Sequence, residues 1–287
     1  AMPTLTALAH AKLNLTLDVL GRRSDGYHDL RMVMTSVALA DVITLETGTG
    51  DGVRASANLG FLPTGEKNLA ASALLRFQEA TGRDLGGAHI SLEKHIPVCA
   101  GMGGGSSDAA AVLRALNDCT GAGLSLPELA RVGEAVGSDV PYCVLGGTAL
   151  AEGRGEVLTP LAPLPRCTVV VCKPNFSIST PELFRQLDSV RLRHHPDTDG
   201  MLAALEAGDL GGVARRVYNV FEDVLPPRLR AEVAAIRQLL VGHGALGAGM
   251  SGTGPTVFGL FDCAAGAERA RRELGETYRD TFLTETV

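Results

Sequence analysis

The chain has 287 residues, 35 of them glycine and none tryptophan, with a formal net charge of −6. Glycine is well above its usual share of roughly 7%, without the period of three that marks collagen. A 45% hydrophobic content excludes a disordered chain, and the acidic balance argues against a general nucleic-acid binder.

Anionic small ligands remain open, because they need only local cations. The length predicts two domains or one large one. None of the six cysteines forms a C-x-x-C pair, so a zinc or redox motif is not expected. Scattered thiols fit a reduced, cytoplasmic protein. Residues 238–261 carry no Asp, Glu, Lys or Arg, but the stretch holds seven glycines and Pro255. It reads as glycine loops beside a buried strand and not as a membrane span.

In chain order, residues 13–19 alternate: Leu13, Leu15, Leu17 and Val19 on one face, Lys12, Asn14, Thr16 and Asp18 on the other. This predicts a strand with one core face, the polar face being by default solvated. A turn at 22–26 precedes further strand at 31–46. A helix is expected over 66–81, stopped by Gly82. Strand follows over 89–98, then four glycines in five positions (101–105), then an Ala-rich helix. Ser106 or Ser107 suits its N-cap and Asp108 its first turn. Ser125 and Glu128 form a capping box with Pro127 between them, predicting a helix to Val136.

Short strands are expected over 140–162, and the proline-rich 160–165 is the best linker. Beyond it the pattern gives a strand at 168–172. Helices follow near 181–187, 199–207, 209–217 and 226–240. A glycine loop, a strand at 256–261 and a last helix at 264–274 complete the chain. The mixture indicates two α+β domains.

Four constellations could carry chemistry. Pro97 through Asp108 lies between a strand and a helix. Glycines let backbone N–H groups approach an anion, and the helix N-terminus faces the same place, which makes a phosphate cradle. No Lys-Ser/Thr pair follows, so it is not a Walker loop. Gly242–Gly247 and Gly247–Gly252 both match G-x-G-x-x-G, but here a helix precedes and a strand follows, the reverse of a dinucleotide site. The hydroxyl-bearing turn at 250–255 is either ligand-facing or a plain turn. Asp139, just past a helix stop, is either a turn-former or a group acting on a hydroxyl proton or cation. Tyr27 and His28, after two arginines, could stack on a base and read its edge, or simply pack. His194 and His195 near Asp197 and Asp199 read as a solvated loop more than a metal site.

Together these motifs resemble the GHMP small-molecule kinases over nearly the whole chain. Residues 11–15 with 21–28, the run at 101–107, the segment 137–141 and the turn 251–255 carry the resemblance, in order. It implies an N-terminal domain like the second domain of ribosomal protein S5 (1–160) and a ferredoxin-like C-terminal domain (161–287). It implies ATP-dependent, Mg²⁺-requiring phosphorylation of a hydroxyl, with Lys12 and Asp139 as the catalytic pair. The ATP phosphates would lie on Pro97, Ala100, Gly101, Gly103, Gly104, Gly105, Ser106 and Ser107, and its nucleoside near Asn68 and Lys94. The opening signature implies a cytidine diphosphate-linked polyol as acceptor. Tyr27 and Phe184 would sandwich the cytosine and His28 would read its edge. Asn14, Thr180, Ser251, Gly252 and Thr253 would line the acceptor side.

Lys12, Arg22, Arg23 and Lys94 are expected to offset the polyanionic substrates. No residue set is assigned to a metal; neither nucleic acid nor membrane is expected as a partner, and a monomer or homodimer fits. Cys99 and Met102 depart from the family, standing where glycine and leucine are usual. A homoserine, mevalonate or sugar kinase, or a nucleotide sensor on the same scaffold, are the competing readings.

Overall fold

The computed structural model describes residues 4–287. By internal contacts the chain forms two compact units, each assembled from three separate stretches. The first takes in residues up to Ala11, Leu39–Val98 and Gly103–Gly146. The second takes in Lys12–Ala38, Cys99–Met102 and Gly147–Val287. Two long strands, β1 (Leu5–Arg22) and β2 (His28–Thr47), contribute residues to both.

In the first unit β2 pairs antiparallel with β4 (Ala88–Glu93), and β3 (Val53–Ala57) lies parallel on its other side. Four helices complete it: α1 (Leu69–Thr81), α2 (Gly104–Thr120), α3 (Leu126–Glu134) and α4 (Val140–Leu145). Ile43, Leu45, Leu74, Phe77, Ile90, Leu113, Leu116 and Tyr142 are fully buried there. The Ser125–Glu128 capping box forms as expected. Helix α1 starts at Leu69, not 66, because the Asn68 side chain accepts from the Ala70 amide and caps it; Gly82 ends it in the left-handed conformation.

Two expectations are corrected in this unit. Helix α2 begins at Gly104 with Gly103 as N-cap, so Ser106 and Ser107 lie inside its first turn and cap nothing. Residues 140–145 are helical: a short apolar run does not separate buried helix from strand by period alone.

In the second unit β7 (Thr168–Lys173), β9 (Gly247–Met250), β10 (Val257–Phe261) and β11 (Asp280–Glu285) form an antiparallel sheet in the order β11-β7-β10-β9. Helices α8 (Pro227–Gly242) and α9 (Ala264–Thr277) pack against it. Smaller helices α5 (Thr180–Asp188), α6 (Thr198–Glu206) and α7 (Leu210–Arg215) precede α8. The start of β2 pairs with β5 (Ala149–Gly153), which pairs with β6 (Val157–Pro160). β1 runs parallel to the two-residue β8 (Tyr218–Asn219) through Thr16 and Leu17. Strands β9 and β11 extend what the sequence pattern gave.

The polar face of β1 is not solvated. Lys12, Asn14, Thr16 and Asp18 are all buried, as are Leu13, Leu15 and Leu17 on the other face. No helix among the described residues is long and apolar enough to cross a membrane.

Candidate active site

In the second unit the site is built on β1. The Lys12 ammonium donates to the Asn14 Oδ1 at 2.7 Å, and the same oxygen accepts from the Gly252 amide at 3.0 Å. The Asn14 backbone N–H donates to Ser251 Oγ (3.2 Å), and that hydroxyl donates to the Gly101 carbonyl (2.8 Å). One buried carboxamide thus ties the strand to the 251–255 turn, and Ser251 ties the turn to the glycine run. Asn219 supports the turn by donating to the Met250 and Gly252 carbonyls, both at 2.8 Å. Two more backbone bonds fix the run: Thr256 N–H to the Ala100 carbonyl (3.1 Å) and Lys12 N–H to the Met102 carbonyl (3.0 Å).

The close approach explains the glycines. Gly101 has φ +85°, and a Cβ there would lie 2.2 Å from the Ser251 carbonyl oxygen. Cys99 is exposed and sits at φ +54°, the left-handed region that disfavours a side chain. A glycine would hold that conformation without strain. Met102 is buried.

The aromatic group differs from a free sandwich. Phe184 packs on His28 with ring centroids 4.6 Å apart and edge-on against Phe221 at 4.9 Å. His28 Nε2 is 2.7 Å from Asp188 Oδ1, which fixes the ring from α5. Tyr27 is 53% exposed, and the Arg154 guanidinium lies 3.5 Å over its ring. Thr180 and Thr253 hydroxyls share a bond of 2.8 Å on the exposed side of the turn.

In the first unit lie the two ends of the glycine-rich segment, residues 97–98 and 103–107. The first intrahelical bond of α2 runs from Ser107 N–H to the Gly103 carbonyl (2.8 Å). The amides of Gly104, Gly105 and Ser106 precede it and form the positive end of a 17-residue helix. Asp139 is half-buried at the N-terminus of α4 and makes no capping bond to it.

Two assigned side chains have structural partners instead. Asn68 caps α1 with its oxygen and donates its NH₂ to the Pro63 carbonyl (3.0 Å). The buried Lys94 ammonium binds Asp41 and, at 2.8 Å, Asp108. The Lys94 charge is thus balanced within the first unit, and Arg23 is paired with Asp25 and Asp29, each at 3.1 Å. Asp108, expected to complement the helix dipole, is a buried ion-cluster member. Sequence reading missed Asp41 altogether, although a lone acid within the apolar stretch Val37-Ala38-Leu39-Ala40-Asp41-Val42-Ile43 was a signal.

The His194–Asp199 segment is explained without a metal. His195 bonds Asp18 (2.7 Å), Asp197 caps α6, and Asp199 pairs with Arg31 (2.9 Å). Among the described residues no three His, Cys, Asp or Glu gather to hold a metal ion.

An α+β chain with a glycine-rich turn opening a helix, a buried strand lysine and a hydroxyl-bearing glycine turn is the architecture of a small-molecule kinase. Residues 68–147 match the model for the GHMP kinases N-terminal domain and 201–280 the GHMP kinases C-terminal domain. The chain belongs to the GHMP kinases.

Within that family, it is 46% identical over 285 residues to a Lachnoclostridium phytofermentans protein named 4-diphosphocytidyl-2-C-methyl-D-erythritol kinase, covering 99% of this chain and 97% of that one. A Clostridium perfringens protein of the same name is 43% identical, with 97% of each chain covered. A crystal structure of 4-(cytidine 5'-diphospho)-2C-methyl-D-erythritol kinase superposes with a TM-score of 0.81 at 36% identity, covering 99% of this chain and 100% of that one. Homoserine kinase from Cytophaga hutchinsonii, at 20% identity and TM-score 0.74, covering 100% of this chain and 96% of that one, shares the fold.

Proposed function

We propose that this kinase transfers the γ-phosphoryl of MgATP to the 2-hydroxyl of 4-diphosphocytidyl-2-C-methyl-D-erythritol, in the methylerythritol phosphate route to isoprenoid precursors. The observation that carries the reading is the Asn14 carboxamide. It joins Lys12 to the Gly252 amide, while the Asn14 backbone N–H reaches Gly101 through Ser251. Strand signature, glycine turn and the Gly101 end of the glycine run are thus one hydrogen-bonded network. The near-full-length relatives of this name support the choice of acceptor.

Phosphoryl transfer needs positioning and charge neutralisation more than covalent chemistry. The loop amides from Pro97 to Ser107 and the α2 N-terminus would hold the phosphates. Magnesium, which the kinase reading calls for, would arrive with ATP and would neutralise phosphate charge beside the loop amides. Lys12 would neutralise charge developing on the transferred group. Asp139 would orient the acceptor hydroxyl and accept its proton. Asn68 and Lys94, held in place by their partners within the first unit, would border the nucleoside of ATP. Tyr27, stiffened by Arg154, and Phe184, held by His28, would cover the cytosine. His28 Nε2 faces Asp188, which leaves Nδ1 for the base edge. Asn14, Thr180, Ser251, Gly252 and Thr253 would line the acceptor. The family matches at 68–147 and 201–280 lie on either side of residue 160, which supports domains 1–160 and 161–287 by family, whereas the compact units cut across that division, with Lys12–Ala38 and Cys99–Met102 grouped with the later chain. We place the enzyme in the cytoplasm, as a monomer or homodimer.

The test is ADP release with each acceptor offered separately. The cytidyl substrate is expected to turn over, and homoserine, mevalonate and galactose are not. Strong turnover of homoserine alone would overturn the choice. Asp139→Asn should cut kcat by roughly 10²-fold or more; unchanged turnover would remove its assigned role.

A further inference from the structure

Three ionisable side chains meet inside the first unit, close to both ends of the phosphate loop. Asp41 is 0% exposed, Asp108 2% and Lys94 8%. Lys94 Nζ donates to both carboxylates. The other Asp41 oxygen accepts the backbone N–H groups of His95 (2.7 Å) and Ile96 (2.9 Å), the residues that lead into the loop. On the helix side, a Cβ on Gly104 would lie 3.1 Å from Lys94 Nζ. The ammonium therefore sits directly against the first residue of α2. Asn58 closes the far side, accepting from the Lys94 N–H (2.8 Å) and donating to its carbonyl (3.2 Å).

Charge counting leaves a remainder. Two carboxylates and one ammonium sum to −1, an expensive net charge to bury. Asp108 Oδ1 is buried and makes no hydrogen bond, so no donor stabilises an anion at that oxygen. We propose that Asp41, Lys94 and Asp108 form a neutral, proton-holding clamp that positions the phosphate loop, with Asp108 as the protonated acid. The proposal rests on the reading of residues 97–107 as the ATP loop.

Burial, then the bond to Asp41, pushes the Asp108 carboxyl up to about 8, against the pull of Lys94. Burial draws Lys94 down, but its two carboxylates outweigh that and hold it above its ordinary value. The groups acting on Asp108 are Lys94 and Asp41. Around it, α1 carries Arg76 and Glu79 as an exposed pair, and α3 exposes Glu128, Arg131 and Glu134. α4 presents Tyr142 and Cys143, and Glu93 pairs with His95 at the surface.

The sign follows. Between the ordinary carboxylate range and about pH 8 the folded chain holds a proton on Asp108 that the unfolded chain has lost. This contribution to stability is complete in acid and is lost as pH rises through about 8. Above that, an uncompensated negative charge lies beneath the amides that grip phosphate.

The experiment is the KM for ATP against pH from 6.5 to 9.5, in wild type and Asp108→Asn, at saturating acceptor. Wild type should show KM rising by on the order of threefold or more through pH 8, with kcat moving less. Asp108→Asn, a permanently neutral isostere, should flatten that rise, and Asp41→Asn should raise KM at every pH. A rise of equal size and midpoint in Asp108→Asn would overturn the proposal. So would a wild-type KM that does not change. Carboxyl ¹³C NMR of the wild type needs no variant. A resonance of Asp108 titrating near 8 supports the clamp, and one titrating in the ordinary carboxylate range overturns it. If the wild type consumed no ATP, the function reading would fall, whereas Ile96 and Gly104 amide shifts following the same midpoint would still support the clamp.

Discussion

The two glycine concentrations, 101–105 and 242–254, are alike in composition and opposite in context. The first leads from a strand into a helix, the second from α8 into β9 and the turn before β10. In the first, glycine serves approach and exposure: Gly101 presses on the Ser251 carbonyl, and α2 opens at Gly104 with bare amides. In the second, the early glycines serve packing. A Cβ on Gly247 would lie 2.0 Å from the Ala214 carbonyl oxygen, so β9 can lie against α7 only without a side chain. The runs then converge, because a Cβ on Gly252 would meet the Gly101 carbonyl at 3.0 Å. Matching a glycine pattern therefore says little; what each glycine touches decides whether it bears on catalysis or on folding.

Substitutions can break that contrast. The largest effect is expected at Gly101→Ala, where both a positive φ and a backbone clash oppose the side chain. Turnover should fall by roughly 10²-fold or more, with the KM for ATP raised, measured beside a melting curve. Gly247→Ala should instead act on stability. A loss of about 3 kcal/mol is expected from a contact that cannot relax cheaply, lowering the melting temperature while leaving the ATP KM of the folded fraction near wild type. Cys99→Gly sharpens the comparison from the other direction. Removing a left-handed side chain should add about 0.5–1 kcal/mol, read by urea titration. Smallest is Gly242→Ala, with open space around the added methyl and an ordinary φ at the end of α8. It should stabilise by about 0.5 kcal/mol and leave kinetics alone. If Gly247→Ala altered the ATP KM as strongly as Gly101→Ala, the division of labour would be wrong.

Local chemistry made much of the fold legible. The Ser125 box, the Gly82 stop and the alternation over 13–19 are set by residues a few positions apart. What stayed hidden depends on partners far along the chain. The polar face of β1 looks solvated until Ser251 and Gly252 cover Asn14, and His195 covers Asp18. The reach of β9 was masked by glycines whose weak strand preference is overridden by pairing with β10. The motifs singled out Asn14, Ser251 and Gly252, but not the hydrogen bonds that join them. They did not disclose that Lys94 is neutralised, since that requires knowing that Asp41 and Asp108 meet it inside.

The division of the chain into interleaved stretches sets an order in time. Every residue of the first unit has been synthesised once Gly146 has been added. The second unit also owns an early stretch, Lys12–Ala38, but its sheet waits for β11, and the bridge between Val37 and Thr286 waits for almost the last residue. The buried Asn14 of β1 must therefore remain without Ser251 and Gly252 through most of synthesis. At typical translation rates of about 5–20 residues per second, that wait lasts on the order of ten seconds or more. The segment that carries the lysine and asparagine of the site is thus among the first made and among the last to be enclosed.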